Sequence, residues 1–224
     1  MPKKPINNND GLPVSEMFLS IQGEPQSVGK LSLFIRVEGC NLKCEFCDTK
    51  YASQSKPENW EWIPMEKILQ EINKSKANQV VITGGEPLLY LKQIKWLANR
   101  SPKEIEIETN GTIDALGING IRYNVSPKLS NSDNKNIKYQ SVESFLKEQA
   151  IFKFVVACPE DIDEVKKFTA KHKINHSRVY LMPEGADKEP WNTTATELIE
   201  TIIQEGFNFA PRLQIQIWGK KRGV

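Results

Sequence analysis

Gly39-Cys40-Asn41-Leu42-Lys43-Cys44-Glu45-Phe46-Cys47-Asp48-Thr49 sets three thiols within eight residues, a density that packing does not require. A structural zinc site usually closes its shell with four ligands. Here the fourth cysteine, Cys158, lies more than a hundred residues further on, and His172 and His176 are the only histidines. Three thiolates on a cube-shaped [4Fe–4S] cluster leave one iron without a protein ligand. Cys40, Cys44 and Cys47 therefore read as a cluster site with one iron open to chemistry.

Working outward, residues 31–37 form a β-branched and aromatic run that predicts a strand delivering Gly39 and Cys40 into the cysteine loop. A helix follows, with Pro64 at its first turn and Met65, Ile68, Leu69 and Ile72 on one apolar stripe. The rhythm then repeats. Strands are predicted at 79–83, 105–108, 121–125, 151–156 and 179–182, and helices at 91–99, 142–149, 162–172 and 196–204. Alternating strands and helices imply an α/β fold of parallel units with right-handed crossovers. In all these units the motif residues are expected at the carboxyl ends of strands, where the loops of such folds gather ligands. Residues 126–138, rich in Asn, Ser and Lys, read as an exposed loop, and the alternation from Leu213 reads as a final strand.

The 224 residues suit a single domain, 1–224, with residues 1–17 as an N-terminal extension. A net charge of +2 gives no broad footprint for nucleic acid. The longest apolar runs are far below the roughly 20 residues that a membrane span needs. The start Met-Pro-Lys-Lys-Pro lacks an apolar segment, so a cytoplasmic location is expected, and closely spaced thiols there favour metal or catalysis over disulfides. Cys158 reads as a buried thiol.

The spacing C-x3-C-x2-C, with Phe46 before the third cysteine, resembles that of the radical S-adenosylmethionine (SAM) superfamily. Ile21-Gln22-Gly23-Glu24, Arg36, Phe46-Cys47-Asp48-Thr49, Thr83-Gly84-Gly85-Glu86-Pro87, Glu108-Thr109-Asn110-Gly111-Thr112 and Ser126-Pro127-Lys128, in that order, resemble the 7-carboxy-7-deazaguanine synthase family from about residue 18 to residue 224. The resemblance implies an incomplete (β/α)6 barrel with parallel strands. It also implies a lyase of queuosine biosynthesis that converts 6-carboxy-5,6,7,8-tetrahydropterin to 7-carboxy-7-deazaguanine with loss of ammonia. The implied cofactors are a [4Fe–4S] cluster, SAM and Mg2+. A reducing donor such as flavodoxin or ferredoxin and a homodimer are the implied partners, and the cofactor carries the difficult chemistry.

By the same resemblance Phe46, Cys47, Asp48, Gly85, Ser126, Pro127 and Lys128 are expected along SAM. A further contact is expected at Met182, Pro183 and Glu184, where the sequence departs from the family's Gln-Pro segment. Ile21, Gln22, Gly23, Arg36 and Thr83 are the implied substrate contacts. An arginine suits a carboxylated ligand because its planar donors bind bidentately. Gly84-Gly85 lets backbone approach a ligand closely.

Thr49 matches the family's magnesium ligand; one protein oxygen suffices where Mg2+ keeps waters and shares substrate oxygens. Without the resemblance Thr49 reads as a helix cap. In Glu104-Ile105-Glu106-Ile107-Glu108 the acids share one strand face, which is either a polar barrel interior, with Glu108 near the substrate, or a solvated edge. The last residues resemble family members whose C-terminal carboxylate enters the site, which makes Val224 a substrate contact; a carboxylate matches the paired ring N–H and amine of a pterin. Two rival readings are a glycyl-radical-enzyme activase and a non-catalytic iron–sulfur or zinc-binding protein. Ferredoxin-like carriers complete their ligands with cysteine, which this chain does not do locally.

Overall fold

The computed structural model describes residues 10–53 and 60–224. The described strands are β1 (Gly11–Ile21), β2 (Leu31–Val37), β3 (Glu61–Pro64), β4 (Gln79–Gly84), β5 (Glu104–Thr109), β6 (Ile121–Val125), β7 (Gln149–Val156), β8 (Val179–Pro183) and β9 (Asn208–Phe209). The helices are α1 (Lys50–Ser53), α2 (Met65–Lys74), α3 (Leu91–Ala98), α4 (Val142–Leu146), α5 (Pro159–His172), α6 (Lys188–Gln204) and α7 (Leu213–Trp218).

The strands form one sheet in the order β3-β1-β2-β4-β5-β6-β7-β8-β9. From β2 to β9 every pairing is parallel, while β1 is antiparallel to both β2 and β3. A flat sheet would hold β1 and β7, five steps apart, about 24 Å from one another at the usual strand spacing. Yet Glu24, just beyond β1, meets Lys153 of β7 in an ion pair. The sheet therefore curls around its polar face, as expected of an open barrel.

The outer face carries the main core, where α2 buries Met65, Ile68 and Ile72 and α5 buries Ile162 and Val165 beside the apolar residues of β4 to β8. β4, QVVITG, is buried on both faces, as parallel strands covered by helices are. α5 begins at Pro159 with Glu160 and Asp161 in its first turn and ends with Lys171 and His172, which complements the helix dipole. A second cluster of Val155, Met182 and Ala210 holds Phe46 of the cysteine loop against the ends of β7 and β8.

Several expectations are corrected. Gly11 to Met17, assigned by sequence to an extension, belong to β1; the rest of that extension before residue 10 lies outside the described residues. The final strand from Leu213 is the helix α7. α4 stops at Leu146, because Gln149 already starts β7, and α6 begins at Lys188, where the Asp187 side chain accepts from the Lys188 N–H. Among the described residues no helix is long and apolar enough to cross a membrane.

Candidate active site

The carboxyl ends of the parallel strands open on a cavity of about 550 Å³, a size suited to small ligands. Cys40, Cys44 and Cys47 line it together with Phe46, Asp48, Thr49, Gly85, Ser126, Lys128, Met182 and Glu184. Ile21, Gln22, Gly23, Arg36, Thr83, Glu108 and Val224 line it too. Pro127 and Pro183, expected along SAM, are buried and do not contribute to the wall. Cys158 is half-exposed at the start of α5, outside the cavity, rather than buried.

The cysteine loop is held by its neighbours. Gly85 N–H donates to the Val37 carbonyl at 3.0 Å and Glu86 N–H to that of Gly39 at 2.8 Å. A Cβ on Gly85 would lie 1.9 Å from the Gly39 carbonyl oxygen, and one on Gly84, at φ +135°, 2.1 Å from that of Val37. The two glycines are thus required where the β4 turn meets the cysteine loop, before any ligand is considered.

Glu86, fully buried, accepts from the Leu88 N–H at 2.9 Å, the Asn110 N–H at 2.7 Å and the Thr109 hydroxyl at 2.8 Å, so it joins the turn after β4 to that after β5. Burial pushes its carboxyl up against those hydrogen bonds. Asn110 in turn donates to Asn41 Oδ1 at 2.8 Å.

The thiols fit a polynuclear group. All three are free and line one cavity, which suits a cluster held by three thiolates. Burial pushes the Cys40 and Cys44 thiols up, so binding a metal group there releases protons. Lys128, partly buried on the cavity wall, donates to Ser126 Oγ at 2.8 Å. Burial lowers its affinity for a proton, and the field of Cys44, Cys40 and Cys47 partly restores it. The surrounding loop is less exposed than its composition suggests, since Leu129 and Ser132 are buried.

Across the cavity, Arg36 and Thr83 are register partners at the ends of β2 and β4. Arg36 Nε donates to Glu16 at 3.1 Å, and the Thr83 hydroxyl to Glu108 at 3.1 Å. Gln22 Nε2 donates to Glu106 at 2.9 Å and to Glu108 at 3.1 Å. Glu106 also accepts from Ser27 at 2.7 Å and Asn124 at 2.9 Å; burial pushes its carboxyl up. The interior reading of the β5 acids thus holds for Glu106 and Glu108, whereas Glu104 lies exposed at the strand's start, paired with Lys30 and Arg122.

Lys153, Arg212 and Gln214, also on the wall, had no role in the sequence reading. Lys153 and Arg212 both engage Glu24, and Gln214 Nε2 donates to it at 2.9 Å. Burial alone would raise the Glu24 carboxyl, but the two cations and these hydrogen bonds hold it at about 2. Arg212 also donates to Asp48 and to the Gly185 carbonyl, which anchors α7 against the cysteine loop. α7 packs so closely that a Cβ on Gly23 would lie 1.7 Å from Gln214 Oε1. Arg222 stacks 3.4 Å over the Tyr51 ring and donates to Glu16 at 2.5 Å, which brings Val224 to the cavity. Only the acid motif containing Glu24 was visible as a signal; Lys153 sat in an apolar run.

Residues 34–148 match the model of the radical SAM superfamily. The chain is 35% identical to the 7-carboxy-7-deazaguanine synthase of Pyrobaculum aerophilum, over 94% of this chain and 96% of that protein. It is 35% identical to the same-named protein of Rhodopirellula baltica, over 97% of this chain and 90% of that one. Among solved structures it is similar to QueE from Escherichia coli, with a TM-score of 0.72 and 27% identity, covering 89% of this chain and 93% of that chain.

Proposed function

The chain belongs to the 7-carboxy-7-deazaguanine synthase family of the radical SAM superfamily, and we propose that, as a single-domain lyase, it converts 6-carboxy-5,6,7,8-tetrahydropterin to 7-carboxy-7-deazaguanine with loss of ammonia. The observation that carries this reading is one cavity lined both by three free thiols and by an Arg36, Thr83, Gln22 and Glu108 wall suited to a polar, carboxylated ring. When bound, the reduced iron–sulfur cluster and SAM supply a 5′-deoxyadenosyl radical.

Cys40, Cys44 and Cys47 hold the cluster, and Phe46, Asp48, Gly85, Ser126, Lys128, Met182 and Glu184 hold SAM. Arg36, oriented by Glu16, clamps the substrate carboxylate, while Gln22 and Glu108 face its ring and the Val224 carboxylate receives paired N–H donors. Thr49 Oγ1, 3.7 Å from Cys47 Sγ, would supply the protein oxygen to a Mg2+ ion that keeps waters and shares substrate oxygens. A flavodoxin or ferredoxin supplies the electron, and the enzyme works as a homodimer in the cytoplasm.

Anaerobic reconstitution with iron and sulfide, followed by reductant, SAM and the carboxytetrahydropterin, tests the assignment. Appearance of 7-carboxy-7-deazaguanine and ammonia is expected. Cleavage of SAM without that product would refute the substrate, and no SAM-dependent chemistry at all would refute the enzyme.

A further inference from the structure

Beyond the ligating thiols, we infer that Asn134 sets the reduction potential of the cluster by donating a side-chain N–H to the sulfur of Cys44. The inference rests on the assignment of Cys40, Cys44 and Cys47 to a [4Fe–4S] cluster. Asn134 Nδ2 lies 3.3 Å from Cys44 Sγ. Its orientation is determined by its surroundings: Oδ1 accepts from the Lys43 N–H at 2.9 Å, so the amide's donor end must face the thiol, and the second N–H is directed to the Ser132 carbonyl at 3.2 Å.

The loop that carries it is itself tied to the cysteine loop. Glu45 N–H donates to the Ser132 carbonyl at 3.1 Å, and Asp133, at φ +57°, turns the chain so that the next residue points back. By contrast the amide of Asn110 stands 3.9 Å from Cys40 Sγ and is already directed at Asn41. At Cys47 the hydroxyls of Ser53 and Thr49 stand 3.6 and 3.7 Å from Sγ, so the contact of Asn134 with Cys44 is the shortest that a side chain makes to any of the three thiols.

Hydrogen bonds to the sulfurs of a cluster are among the determinants of its potential. An N–H directed at a thiolate withdraws negative charge, which favours the state with one more electron. Asn134 is a positioning residue in this sense: it touches the ligand, and its effect is read in the electron equilibrium. In that step one electron passes from a low-potential one-electron donor to the cluster, and no bond is broken.

The test is a mediated redox titration of the reconstituted protein, followed by electron paramagnetic resonance of the reduced cluster, in wild type, Asn134→Leu and Ser132→Ala. Asn134→Leu is expected to shift the one-electron equilibrium about tenfold toward the oxidised cluster, about 59 mV to more negative potential, with iron content unchanged. Ser132→Ala, which keeps the amide donor, is expected to titrate with wild type. Should Asn134→Leu fail to load iron, Asn134→Ala, which removes the donor with less added bulk, is read by the same criterion. An unchanged potential at full iron content would overturn the inference while leaving the cluster assignment intact. Failure of the wild type to take up a [4Fe–4S] cluster would overturn both.

Discussion

Replacing Lys153 by methionine removes one charge from a pair that is nearly closed to solvent, since Lys153 is 5% and Glu24 8% exposed. The structure allows the cost to be worked in two ways. Glu24 is held at about 2 rather than 4.5, which favours the ionised form by about 3 kcal/mol. Lys153 supplies only part of that, because Arg212 Nε stands 3.6 Å from the same carboxylate and Gln214 also donates to it. Independently, deleting one partner of a buried pair costs about 3–5 kcal/mol. The expected loss is about 3 kcal/mol at neutral pH, measured by anaerobic urea unfolding.

The double variant Glu24→Gln/Lys153→Met should recover most of it, because a neutral pair leaves no uncompensated charge. The pH dependence has a definite sign. A carboxyl whose folded value is depressed contributes stability that is present above about 4.5 and is lost as pH falls toward about 2. The gap between wild type and Lys153→Met should therefore narrow across that window. A loss below about 1 kcal/mol at neutral pH, judged against the cost of breaking a buried pair, or a gap that widens on acidification, would refute the account.

Alanine at Cys40, Cys44 or Cys47 should abolish cluster uptake measured as iron per chain, whereas Cys158→Ala, outside the cavity, should retain it; full occupancy in any of the first three defeats the ligand assignment. Thr49→Ala should lower turnover and blunt its dependence on magnesium while the cluster's absorbance persists, and wild-type magnesium dependence would remove Thr49 from the metal's shell. Residues appended after Val224 should raise the Michaelis constant for substrate at constant iron content, because Arg222 draws the tail onto Tyr51 and Glu16 at the cavity mouth. Equal kinetics for N- and C-terminally tagged proteins would count against a role for the terminal carboxylate.

By itself, the sequence determined the cysteine site, the βα rhythm and the family. Three thiols in one short loop and apolar runs at strand and helix periods are local patterns, and β6 falls where its pattern predicts. The tertiary structure decided what depends on partners distant along the chain. Leu213-Gln214-Ile215-Gln216-Ile217-Trp218 alternates like a strand but forms a helix: Leu213 N–H donates to the Gly23 carbonyl at 2.9 Å, Arg212 is held by Asp48 and Glu24, and only Ile215 is buried. Six residues are too few for their period to outweigh those anchors. Lys153 is predicted within a strand, yet its meaning waits on Glu24, 129 residues earlier. Asn134 looks like solvent-facing loop until the fold brings it to Cys44. A burial pattern is written along one segment, but an ion pair or an N–H aimed at sulfur exists only once a curled sheet has brought two segments together.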